Sequence, residues 1–228
     1  VLTRDQTPYG IRWRELRMSR EMVKRIFSIG FPSAIQQAIT AFSNVFVQSY
    51  INYFGSACMA GWSAYNKLDM FLVIPGQSLG MAVTTFVGQN YGANQLSRAR
   101  KGVAVSLTLC MSAVILLASR QFILFFSAEP EVIAYGVRFI QLNSPFYFLI
   151  CIYQIYGGAL RGVGIAKTPM YIMLFSFVAF RQLYLFVAKQ FLGNPLTLVA
   201  VAYPVGWFLC ATLLSIACRR SLLCREDA

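Results

Sequence analysis

Six stretches of this chain are too apolar and too long to be covered by water-facing side chains. They run from Ile26 to Ile51, Ala57 to Gly88, Val103 to Ser119, Phe139 to Leu160, Thr168 to Ala188 and Leu196 to Cys218. A helix needs about 20 apolar residues to cross a hydrocarbon core of about 30 Å, because in lipid every backbone N–H and C=O must find a partner within its own segment. The charged residues inside the six stretches are Lys67 and Asp69 in the second and Arg181 in the fifth. Charged residues make up 12% of the chain, against about 25% in soluble domains, so a water-soluble globule is short of polar surface. The expected fold is an all-α integral membrane protein of six transmembrane helices.

Basic residues set the orientation, since Lys and Arg accumulate on cytoplasmic loops. On one side of the six spans lie fifteen of the twenty: Arg4, Arg12, Arg14, Arg17, Arg20, Lys24, Arg25, Arg98, Arg100, Lys101, Arg161, Lys167, Arg219, Arg220 and Arg225. The other side has Arg120, Arg138 and Lys189. Both termini are therefore expected in the cytoplasm and the chain in the plasma (inner) membrane. The net charge of +12 is clustered between uncharged runs, which favours a membrane partner and argues against nucleic acid. Ile11 to Arg25 mixes apolar and basic residues and reads as an amphipathic helix on the anionic inner leaflet. The chain opens at Val1 without a signal-peptide pattern, as a piece of a longer one would.

The inventory also excludes chemistry. With no His in the chain, His-dependent catalytic triads and imidazole metal sites cannot form, and the six cysteines, mostly set in apolar runs, read as small hydrophobes. No catalytic residue, resident metal or organic cofactor is expected. Intramembrane charges are costly and mark pathways, relays or internal pairs, so Lys67, Asp69 and Arg181, with neighbouring Asn66, are candidate pathway residues. Asp69 is expected to pair with Arg181. On the first span Gln37, Thr40, Asn44 and Gln48 recur every three or four residues as a polar stripe, which either joins helices or lines a cavity. Gly76, Gly80, Thr84, Gly88 and Gly92 form a small-residue stripe expected to pack against another helix. Pro32, Pro75, Pro145 and Pro204 lie within spans, where proline removes a helical hydrogen bond and creates hinges. The run Gly157–Gly164 has no preceding strand, so it reads as a turn before Thr168 and Pro169 and not as a phosphate loop.

Lys67-Leu68-Asp69, Pro75, Val87-Gly88-Gln89-Asn90-Tyr91-Gly92-Ala93, Leu160-Arg161-Gly162-Val163-Gly164 and Pro169 follow one another in an order and spacing that resembles the multidrug and toxic compound extrusion (MATE) family. The resemblance covers about Ile26 to Arg220 and looks like the C-terminal lobe of such a transporter. It implies residues 1–25 as an inter-lobe connector, 26–220 as a six-helix lobe and 221–228 as a cytoplasmic tail. It further implies a missing N-terminal six-helix lobe as partner, and export of small cationic or amphiphilic compounds in exchange for Na⁺ or H⁺ around a central cleft. Branches with acidic coupling residues in the first and fourth helices of this lobe have no counterpart here, where Thr40 and Ile150 or Cys151 occupy those regions. Tyr50, Tyr65, Phe71, Phe146, Tyr147 and Tyr153 offer aromatic surface to a substrate. The competing readings are a lipid-linked precursor flippase of related fold, suited by a basic cleft, and a self-contained six-helix channel or assembly subunit, which lacks a visible filter loop.

Overall fold

The computed structural model describes residues 19–117, 130–192 and 196–223, and the described chain is helical without a strand. Its helices are α1 (Arg20–Asn52), α2 (Ser56–Gly92), α3 (Leu96–Leu117), α4 (Pro130–Asn143), α5 (Tyr147–Gly162), α6 (Lys167–Leu174), α7 (Arg181–Leu192) and α8 (Leu196–Leu223). A 3₁₀ turn, Ser144–Phe146, joins α4 to α5, and a π-helical segment, Phe175–Phe180, joins α6 to α7. Among the described residues the eight helices thus make six rods, one for each apolar stretch. Arg20 to Arg25 belongs to α1, so the expected boundary at residue 25 falls inside a helix; residues 11–18 and the tail beyond 223 lie outside the described residues.

Each described turn between rods holds one residue in the left-handed region: Gly55 (φ +89°), Asn94 (φ +56°) and Gly164 (φ +85°). Glycine adopts that conformation without a Cβ clash, and asparagine is the side chain that tolerates it best. Three rods, Ser56–Gly92, Lys167–Phe191 and Leu196–Ser221, are continuous helices long and apolar enough to cross a membrane. In the others, the polar stripe dilutes α1, α3 is described only to Leu117, and the fourth rod is divided at Pro145.

At the centre stands α5, packed on α2, α3 and α8. A methyl group added to Gly80 would stand 2.9 Å from the Gln154 carbonyl oxygen, one on Gly162 2.7 Å from that of Thr84, one on Gly88 3.2 Å from that of Gly162, and one on Gly158 would overlap the Gly80 carbonyl. The two backbones therefore touch with no side chain between them. Most of the run Gly157–Gly164 accordingly serves packing: Gly157, Gly158 and Gly162 are helical, and Gly164 closes the turn. Gly76 meets Cys110 Sγ at an ordinary 3.6 Å, whereas Gly92 faces open space. The stripe stops at Gly88 because α5 ends opposite it at Gly162, so Gly92 does not pack as expected.

Prolines behave unequally. The helices α1, α2 and α8 continue through Pro32, Pro75 and Pro204, one lost hydrogen bond being too little to end a long packed helix. Only Pro145 coincides with a break, and the π segment arises with no proline in it. Large apolar side chains, among them Phe31, Phe42, Met70, Phe71, Phe186 and Phe208, stay exposed on the surface, which suits lipid or another apolar body and not water.

Candidate functional site

Asp69 and Arg181 do not pair; each has built its own surroundings. Asp69, half-buried on α2, accepts a hydrogen bond on Oδ1 from the Tyr147 hydroxyl at 2.6 Å and another on the same oxygen from the Tyr65 hydroxyl at 3.2 Å. Tyr65 lies one turn back on the same helix face, while Tyr147 comes from the first turn of α5, immediately after the 3₁₀ break. The break at Pro145 thus sets where the second phenol starts. Among the described residues no protein group donates to Asp69 Oδ2.

Arg181 is 4% exposed and begins α7 directly after the π segment. Its Nη2 donates to Ser43 Oγ at 3.0 Å and to Asn44 Oδ1 at 2.8 Å, both on α1. Its guanidinium lies 4.9 Å from the centroid of the Tyr203 ring on α8, and its Nε has no hydrogen-bond partner among the described residues. Ser43 is saturated: its hydroxyl donates to the Phe177 carbonyl at 3.0 Å and accepts from Gln182 at 3.0 Å as well as from Arg181. The π segment puts Phe177, Arg181 and Gln182 within reach of this one hydroxyl. A charge at membrane depth costs about 2.5–3.5 kcal/mol on insertion scales, and the Tyr203 face returns about 0.5–2 kcal/mol of that.

Aromatic rings fill the space between the two charges. From Arg181 the contacts pass to Tyr203, then to Trp62 (5.4 Å between centroids) and Tyr65 (5.1 Å), which reaches Asp69. A second branch runs from Tyr203 to Trp207 (6.2 Å) and Tyr147 (5.6 Å), which reaches Asp69 from the other side. Opposite charges are thus joined through a closed loop of rings, buried except for the partly covered Tyr203, with no direct contact. Among the described residues no cluster of three His, Cys, Asp or Glu side chains is placed to hold a metal.

Residues 32–186 match the MatE family. The chain belongs to that family. It is similar to the probable multidrug resistance protein YoeA of Bacillus subtilis, with 26% identity over 85% of this chain and 43% of that protein. It is also similar to the multidrug resistance protein PmpM of Pseudomonas aeruginosa, with 32% identity over 69% of this chain and 34% of that protein. A crystal structure of MATE in the straight conformation superposes with a TM-score of 0.86 at 16% identity, over 96% of this chain and 51% of that one. The chain therefore has the fold of one six-rod half of a MATE structure, and it spans about half the length of such relatives.

The remaining sequence candidates scatter over this MatE half. On α1, Gln37 and Asn44 are exposed, and Thr40 and Gln48 are partly covered, Thr40 Oγ1 being buried without a partner. Asn66 and Lys67 are exposed; Lys67, two residues or about 200° of helix from Asp69, is turned away from it, whereas Asn66, three residues back, lies about 60° from it. Sequence reasoning overlooked Trp62, Tyr203, Trp207 and Gln182. The Tyr65–Asp69 spacing of four was legible as one helix face; nothing in the sequence announced the π segment that makes Gln182 and Arg181 share Ser43.

Proposed function

We propose that this MatE chain is one lobe of a multidrug efflux transporter that exports amphiphilic or cationic compounds in exchange for Na⁺ or H⁺ by alternating access, with Asp69 taking up the coupling cation in this lobe. The observation that carries the reading is the arrangement at Asp69, whose Oδ1 is clamped by two phenols while Oδ2 has no donor among the described residues. Two donors stabilise the carboxylate as an anion and fix its direction, and the other oxygen is what a proton or Na⁺ needs. Neutralising a half-buried carboxylate changes the cost of closing the lobe around it, which is how ion binding favours one orientation over the other. The relatives named multidrug resistance proteins support the cargo class.

The test uses the complete gene product in liposomes, with export of the cationic dye rhodamine 123 followed against imposed Na⁺ and pH gradients. Gradient-driven export is expected from the wild type, and Asp69→Asn should bind dye but lose the dependence on the gradient. Export by Asp69→Asn with an unaltered gradient dependence would remove Asp69 from the coupling step.

A further inference from the structure

Arg181 is the feature that a cation exporter does not explain. It is a permanent cation, 4% exposed, whose acceptors among the described residues are all neutral: Ser43 Oγ, Asn44 Oδ1 and a tyrosine face. The acidic side chains described are Glu21, at the start of α1, and Asp69, which is held by two phenols, and neither forms an ion pair with Arg181. A guanidinium can direct five N–H bonds and a bidentate pair toward an oxyanion. Here Nη2 is spent on amide and hydroxyl oxygens, and Nε is buried without an acceptor among the described residues. Neutral oxygens orient the group without cancelling its charge, so the positive potential persists in a low-dielectric setting where an oxyanion is attracted strongly.

The route outward is one side chain long. Asn44 is exposed on α1, belongs to the stripe with Gln37, Thr40 and Gln48, and presents its amide oxygen to Arg181 at 2.8 Å. Displacing that amide would free a donor on Arg181 Nη2 toward the polar stripe, which as a row of polar groups avoids lipid.

We propose that Arg181 is a substrate-recognition residue for an oxyanion, carboxylate or phosphate, carried by the amphiphile that enters the cleft, with Asn44 holding the oxyanion's place when the site is empty. Tyr203 backs the guanidinium and keeps its plane fixed. The proposal rests on the reading of the chain as a lobe around a cleft and adds a substrate class to it: zwitterionic or acidic amphiphiles in addition to plain cations.

Rhodamine 110 and rhodamine 123 differ only in a free carboxylate against its methyl ester, and their binding to the detergent-solubilised complete gene product is read by fluorescence anisotropy. A second arm compares displacement of rhodamine 110 by phosphatidylglycerol and by phosphatidylcholine, separating a soluble oxyanion from a lipid headgroup. The wild type should prefer the acid, and Arg181→Gln should weaken the acid by about ten- to hundredfold while leaving the ester unchanged. Asn44→Asp keeps shape and fold but places a carboxylate where the amide oxygen stands; it should abolish the preference for the acid in the same way. Displacement by phosphatidylglycerol alone, lost in both variants, would support the site with a lipid phosphate as its occupant. No preference in the wild type, equal losses for both dyes, or acid binding untouched by both variants overturns the proposal. Gradient-driven export of the ester tests the transporter reading separately, so the two can fail independently.

Discussion

At Asp69 two phenols of unequal reach share one carboxylate oxygen, Tyr147 at 2.6 Å and Tyr65 at 3.2 Å. A hydrogen bond to a charged group contributes about 1.5–3 kcal/mol, and each donor favours the anion over its neutralised form. Tyr147→Phe should therefore make Asp69 hold a proton or Na⁺ more tightly, lowering the cation concentration that half-displaces bound rhodamine 123 by about tenfold. Tyr65→Phe should act in the same direction and less. Displacement titrations in detergent check this, and a larger effect at Tyr65 would refute the ranking. The charges themselves were legible, because three ionisable groups in apolar runs stand out in any reading of the sequence. Their partners were not: spacing fixes the face of a helix on which Asp69 lies, but not which neighbouring helix meets that face, and so the expected pair with Arg181 gave way to two phenols.

Single side chains decide how the elements meet. The contact between α1 and the α6–α7 rod includes Ser43, whose hydroxyl joins the Phe177 carbonyl, Gln182 and Arg181. Ser43→Ala leaves those buried groups short of a partner and should cost about 1–3 kcal/mol, seen as a lower midpoint of thermal unfolding in detergent; an unchanged midpoint would contradict the role given to Ser43. The α2–α5 crossing has a different logic, since backbone lies on backbone there. Gly158→Leu should drive the helices apart at a cost of about 1–3 kcal/mol or more, with loss of monodisperse protein. Gly92→Leu, in open space, should stay within about 0.5 kcal/mol of wild type; size-exclusion profiles and unfolding midpoints separate the two. A period of four in small residues revealed the packing stripe because such periodicity is a property of one helix. Where the stripe ends, and where a π turn replaces α, depends on the length and placement of the opposing helix, which local sequence does not record.

For the whole molecule, the arrangement is a six-rod MatE fold in which two polar groups, Asp69 with its phenols and Arg181 with Ser43 and Asn44, flank a loop of rings. The described cysteines Cys58, Cys110, Cys151, Cys210 and Cys218 are all buried, so, with Cys224 replaced by Ser, a cysteine placed at Gln37 or Asn44 should label above the background of these five. In the complete gene product both should react with a water-soluble thiol reagent and be protected by bound rhodamine 123; labelling blind to dye would place the stripe outside the cleft. The all-helical six-rod architecture was open to sequence reasoning, since lipid imposes helices on a run of six apolar stretches, whereas the aromatic loop required the fold to bring α2, α5 and α8 together. The most direct measurement of the central claim is a count of the cations, H⁺ into unbuffered medium or radiolabelled Na⁺, that leave the purified complete gene product as rhodamine 123 is titrated in. With Asp69 as the coupling site, Asp69→Asn releases about one cation fewer per bound dye than the wild type; equal release from both proteins would contradict the account.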